Sequence, residues 1–70
     1  MNYKIGFIGC GNMASAIIQG ITKKTDIKNS QIIVSDASEA AISKAYEDLG
    51  VDATRSNTRV VSECEVMLVN

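Results

Sequence analysis

The sequence predicts an α/β fold, the N-terminal half of a doubly wound parallel sheet, ordered β-α-β-α-β-α-β with spatial strand order 3-2-1-4. Three observations predict it. Short apolar runs alternate with amphipathic stretches along the whole chain, the pattern of a parallel sheet with right-handed crossovers. The first run, Ile5-Gly6-Phe7-Ile8, passes directly into Gly9-Cys10-Gly11-Asn12-Met13-Ala14 and then a helical stripe. That is G-x-G-x-x-A in the strand–turn–helix setting that a dinucleotide-binding fingerprint needs. An acidic residue, Asp36, closes the second apolar run, about 20 residues beyond the fingerprint, where such folds meet a ribose.

Each element has its own local reason. Tyr3 to Ile8 reads as strand, with Tyr3, Ile5 and Phe7 on one face and Gly6 and Ile8 on the other. Asn12 to about Lys24 reads as helix, with Met13, Ile17 and Ile21 as its apolar stripe, widened by Ala14 and Ile18. Gly20 inside it suggests close packing on a neighbour, and Lys23 and Lys24 suit the last turn. Thr25 to Ser30 reads as loop and Gln31 to Ser35 as the second strand. Asp36 followed by Glu39 suggests a capped helix start. That second helix carries Ala41, Ile42, Ala45, Tyr46 and Leu49, with Gly50 to end it. Val51 to Thr54 is a brief third strand. Ser56 or Asn57 caps a short third helix to about Glu63, with Val60, Val61 and Cys64 on its apolar side, and Glu65 to Val69 is the fourth strand.

Composition narrows the function classes. With 70 residues and a net charge of −1, no basic surplus points to nucleic acid, and no apolar run is long enough to span a bilayer. Met1 to Lys4 leads straight into the first strand without room for a signal peptide, so a cytoplasmic location is expected. Cys10 and Cys64 occur without any histidine, which leaves neither a zinc set nor a Cys-His pair. Cys64 is expected as a buried apolar residue. Cys10 is expected as a small side chain in the loop, at a helix N-terminus where a thiolate is favoured and modification is plausible. A complete dinucleotide-binding domain is roughly twice this length, and the sequence stops within the apolar run Val66-Met67-Leu68-Val69. The expectation is therefore one incomplete domain, residues 1–70, forming the front of a larger enzyme and only marginally stable alone.

The candidate binding residues follow from the fingerprint. Gly9 permits the tight turn, Gly11 lets a pyrophosphate approach the backbone, and Ala14 allows close helix–strand packing. The first N–H groups of the helix face the phosphates. Asp36 can accept hydrogen bonds from ribose hydroxyls and repel a 2′-phosphate, or it can cap the second helix. No arginine lies between Ser35 and Lys44 to pair with a 2′-phosphate, although Ser35 and Ser38 can offer hydroxyls. On charge, NAD is favoured over NADP.

The run from Ile5 to Ile17, with its narrower signature G-x-G-N-M-A-x-A-I, resembles the N-terminus of pyrroline-5-carboxylate reductases. The likeness continues through Ser35-Asp36, Leu49-Gly50-Val51 and Ser56-Asn57-Thr58, and so spans essentially the whole chain. The resemblance implies a Rossmann domain that uses NADPH or NADH to reduce the cyclic imine 1-pyrroline-5-carboxylate to L-proline, the last step of proline biosynthesis. It implies a phosphate loop of Ile8, Gly9, Cys10, Gly11, Asn12 and Met13. It also implies an adenosine contact at Asp36 and a further cofactor contact at Asn57, whose alternative role is a helix cap. Many relatives carry an Asn-Arg or Ser-rich strand end where this chain has Ser35-Asp36-Ala37. Relatives also continue past the position of Asn70 into an A-V-K-P segment and a helical domain that supplies the dimer interface and substrate groups. No catalytic residue and no metal ligand is therefore expected within these positions. The 70 residues alone are expected to be inactive, and a homo-oligomer is expected for the whole enzyme. Two other readings fit the fingerprint. One is another dehydrogenase of the 3-hydroxyacid and 6-phosphogluconate dehydrogenase superfamily. The other is a non-catalytic NAD(P)-sensing protein, since fold alone does not settle function.

Overall fold

In the computed structural model, which describes residues 2–69, the chain runs β1 (Tyr3–Ile8), α1 (Asn12–Lys24), a 3₁₀ turn (Asn29–Gln31), β2 (Ile32–Ser35), α2 (Glu39–Leu49), β3 (Asp52–Thr54), α3 (Asn57–Glu63) and β4 (Cys64–Val69). All strand pairs are parallel and the sheet order is β3-β2-β1-β4. The expected fold class and order are thus observed. Boundaries shift slightly. Gln31 belongs to the 3₁₀ turn, where its side chain accepts the Lys28 N–H at 2.9 Å, and so β2 starts one residue late. The last strand begins at Cys64, directly from the end of α3.

The sheet has two covered faces, and each has its own cluster. On one, Phe7, Ile32 and Val34 pack with Ala14 and Ile18 of α1, Ala45 of α2, and Val51. On the other, Ile33 packs with Tyr3, Val60 and Cys64, with Ile8 at the margin. Burying β2 on both sides makes Ile32-Ile33-Val34 a continuous apolar run, as central parallel strands require.

Four details differ from the sequence expectation. Tyr3 joins the α3-side cluster and not the face of Ile5 and Phe7. Pairing of β1 with β2 begins only at Ile5↔Ile32, so Tyr3 precedes that ladder. Its ring is instead held by its hydroxyl, which donates to Asp52 and accepts from Arg59. In α1 the buried line is Ala14 and Ile18, flanked by Ile21, while Met13 is 68% exposed. The turn through Gly11 sets the helix rotation, and the stripe that reaches the sheet is shifted by one residue. Tyr46 of α2 and Val61 of α3 are likewise exposed. Both elements bury a narrower line than their apolar content suggests, because each small helix meets the sheet over little more than one row.

The fourth difference concerns glycine. A Cβ on Gly20 would meet nothing within 4 Å, whereas one on Gly6 would lie 2.6 Å from Val60 Cγ1 and 2.7 Å from Cys64 Sγ. Gly6, not Gly20, is where α3 and the start of β4 come down onto the backbone of β1. Gly50 ends α2 at φ 68°, the left-handed conformation, as expected. Among the described strands, β4 pairs with β1 only, and Val66, Met67, Leu68 and Val69 are exposed. Denaturant titration checks the glycine assignment. Gly6→Ala is expected to lower stability by about 1–3 kcal/mol through overpacking. Gly20→Ala is expected to raise it by up to about 1 kcal/mol, because an open helix-interior glycine is replaced by the best helix former.

Candidate functional site

The site is built where β1 gives way to α1. Gly9 turns the chain at φ 95°, a conformation that favours glycine, and its N–H donates to the Ser35 carbonyl at 2.7 Å. The loop is therefore sewn to the end of β2. Gly11 stands at the N-cap of α1 with no side-chain cap, and a Cβ there would meet nothing within 4 Å. The first-turn N–H groups of Asn12, Met13 and Ala14 open onto that space, backed by the positive end of a 13-residue helix. The other two helices differ, since Ser38 accepts the Ala41 N–H and Ser56 accepts the Arg59 N–H. Asn12 and Met13 are exposed at this mouth, Ala14 is buried against the sheet, and Ile8 is half-buried on the α3 side.

Asp36 lies across the loop. One carboxylate oxygen, Oδ2, accepts the Cys10 N–H at 3.2 Å and faces the Cys10 thiol at 3.5 Å; Oδ1 accepts the Ser38 N–H at 2.9 Å. Asp36 is thus not the cap of α2, which is Ser38, two residues further along. Its carboxylate instead ties the β2 end to the glycine loop, and the N–H groups of Ser38 and Cys10 hold it below the usual 3.8. The same contact corrects the expectation for Cys10. Burial, reinforced by the adjacent Asp36 charge, pushes the thiol up to about 11. Proximity to a helix N-terminus does not make it a thiolate. Cys64 is buried among Tyr3, Ile33 and Val60, as expected of an apolar cysteine, and both cysteines are free thiols.

Ser35 and Asn57 meet, a pairing that spacing alone does not signal. The buried Ser35 hydroxyl donates to Asn57 Oδ1 at 2.6 Å, so it is already committed and does not point outward as a free donor. Asn57 is not the cap of α3 either; Ser56 is. With its Oδ1 engaged, the amide group of Asn57 is turned so that Nδ2 is the remaining donor. A second feature beyond the sequence reading is a groove of about 310 Å³ that runs from Cys10, Gly11 and Asn12 between α1 and α2, past Ser15 and Lys44. Helical spacing places Asn12, Ser15 and Gln19 on one side of α1, but nothing local says which face of α2 they meet.

Among the described residues no three histidine, cysteine or acidic side chains come together as a metal set, and no helix is long and apolar enough to cross a membrane. A fold of this order with a bare glycine-rich helix start and an acidic residue at the next strand end has the architecture of the first half of a doubly wound sheet. The match to known families agrees. Residues 4–70 fit the family described as "NADP oxidoreductase coenzyme F420-dependent", and the chain belongs to it. Within that class its likeness is to the N-terminal part of pyrroline-5-carboxylate reductases. It is 34% identical over 68 residues to that of Methanosarcina acetivorans, covering 97% of this chain and 25% of the relative. It is 33% identical over 67 residues to that of Escherichia coli, covering 96% and 25%. It is 43% identical over 58 residues to pyrroline-5-carboxylate reductase 3 of Danio rerio, covering 83% and 20%. The chain spans about a quarter of the length of the first of these relatives.

The Asp36 clasp has an acid signature. Its carboxyl sits lower folded than unfolded, so the stability it contributes is fully present above pH 3.8 and is lost as pH falls through the lower folded value. Thermal melts across the acid range should show the wild type losing stability there. Asp36→Asn, which cannot hold both donors as an anion, should be less stable at neutral pH and flatter over that window.

Proposed function

We propose that this chain is the cofactor-binding part of a pyrroline-5-carboxylate reductase, an enzyme that reduces 1-pyrroline-5-carboxylate to L-proline with a reduced nicotinamide dinucleotide. The observation that carries this reading is the uncapped start of α1 at Gly11, beside the Asp36 carboxylate at the end of β2. The relatives' name supplies the substrate. Residues 1–70 are the first portion of the dinucleotide-binding domain. Substrate-binding groups and a dimerising helical domain lie in sequence that corresponds to the rest of the relatives. The whole enzyme is a homo-oligomer of the cytoplasm acting on a small molecule, and it binds neither nucleic acid nor membrane.

On this reading Gly9 and Gly11 bring the backbone up to the pyrophosphate, and the N–H groups of Asn12 and Met13 donate to it. Asp36 receives an adenosine ribose hydroxyl, and Asn57 Nδ2, oriented by Ser35, is the further donor at the rim. Ile8, Cys10 and Ala14 shape the loop from behind. The bound nicotinamide supplies the hydride. The chain supplies position and electrostatics, so no nucleophile or base is required of it.

Two measurements test the reading. Gly11→Val should abolish NADH and NADPH binding in a fluorescence titration while leaving the thermal melt close to wild type, because the space around Gly11 is open. Unchanged affinity would overturn the assignment of the loop. Asp36 carries a negative charge where a 2′-phosphate would arrive, so the enzyme should use NADH at least as well as NADPH. Asp36→Ser should then move the ratio of kcat/KM values toward NADPH by about tenfold or more, since like charges in partly buried contact cost several kcal/mol. A strong NADPH preference that Asp36→Ser leaves unmoved would place Asp36 away from the ribose.

A further inference from the structure

We propose that the Cys10 thiol is a specificity-determining residue: it fills one lone pair of the Asp36 carboxylate and so limits how firmly that carboxylate holds an adenosine ribose. The inference rests on the ribose-facing role given to Asp36 above. A carboxylate offers about four lone-pair positions. Here Oδ2 takes both the N–H and the thiol of Cys10, at 3.2 and 3.5 Å, and Oδ1 takes the N–H of Ser38 at 2.9 Å. Three positions are occupied before any ligand arrives. A ribose with free 2′ and 3′ hydroxyls brings two donors, and one of them must compete with the thiol.

The two backbone N–H groups already fix the carboxylate, one on each oxygen. Removing the thiol therefore frees an acceptor without releasing the side chain. The donor stays in place at neutral pH, because burial and the neighbouring carboxylate keep Cys10 protonated. A 2′-phosphorylated ribose has no hydroxyl donor at that carbon and gains nothing from the vacated lone pair. Thiol removal should thus favour the unphosphorylated dinucleotide selectively.

The test titrates NADH and NADPH onto the full chain as wild type, Cys10→Ala, Cys10→Ser and Asp36→Ser. Cys10→Ala should tighten NADH by about threefold, the scale of one modest hydrogen bond, and leave NADPH unchanged. Cys10→Ser keeps a donor on the same oxygen and should not tighten NADH. A second readout needs no cofactor: the pH midpoint for alkylation of Cys10, followed on its own peptide, should lie near 11 in wild type and fall in Asp36→Ser. If Asp36→Ser shifts the NADH-to-NADPH affinity ratio but Cys10→Ala does not, the thiol has no such role while the ribose reading stands. If neither variant shifts the ratio, or the wild type binds neither dinucleotide, the ribose reading fails and takes this inference with it. An alkylation midpoint that Asp36→Ser leaves unmoved removes the contact itself.

Discussion

The tie between the end of β2 and the glycine loop is the constraint on which the rest of the unit depends. It consists of the Gly9 N–H on the Ser35 carbonyl and the Asp36 carboxylate on the Cys10 N–H. A glycine-rich loop has more backbone freedom to lose than any other segment, and left to itself it would not present its N–H groups in one direction. Fastened at two adjacent residues, Gly9 and Cys10, it delivers the chain to Gly11 at a defined angle, and α1 starts from there. That start decides which stripe of α1 faces the sheet. Ala14 and Ile18 go in and Met13 stays out. Site geometry and the stripe that α1 buries thus follow from one short set of hydrogen bonds.

The two sheet faces are held by different means. The α1–α2 side relies on apolar burial around Phe7 and Val34. The α3 side is thinner and depends on close approach at Gly6, with a polar latch at its margin. In that latch the Tyr3 hydroxyl donates to Asp52 and receives Arg59, and Arg59 also holds Glu63 at 3.0 Å. Hydrogen bonding to Asp52 raises the Tyr3 phenol above its ordinary value, so the latch keeps its proton well into the alkaline range. Among the described residues no buried side-chain nitrogen or oxygen lacks a partner, which is what a small core with little apolar surplus must achieve.

What was legible in the sequence is what short-range pattern determines. Alternation of apolar runs gave β-α-β order; the fingerprint located the loop; Gly50 marked the end of α2. Most features that local pattern misses depend on neighbours that are distant in sequence. Asp36 has the right type and spacing for a helix cap, but Cys10, 26 residues earlier, competes for its carboxylate, and Ser38 takes the cap. Gly20 reads as a packing glycine because it interrupts a helix, yet the crowded backbone is at Gly6, set by Val60 and Cys64 far along the chain. Ser35 and Asn57 each read as outward-facing polar residues, and their mutual bond exists only because α3 starts beside the end of β2. A thiol at a helix N-terminus is locally predicted to ionise, and burial of Cys10 in the fold, with Asp36 beside it, reverses that.

The same contacts bear on where the proposed chemistry is done. Three groups at the glycine loop and the end of β2 that are capable of proton transfer or attack are already committed. Cys10 is held as a thiol, and Asp36 is held ionised by three donors. Ser35 is buried and bonded to Asn57. A general base must have a value near the working pH to be effective, and here the environment moves the thiol and the carboxylate away from that range in opposite directions. Such a site is suited to recognising a fixed, already charged ligand without reacting with it. This is the division of labour expected where a dinucleotide carries the reducing equivalent and the protein determines only where it lies.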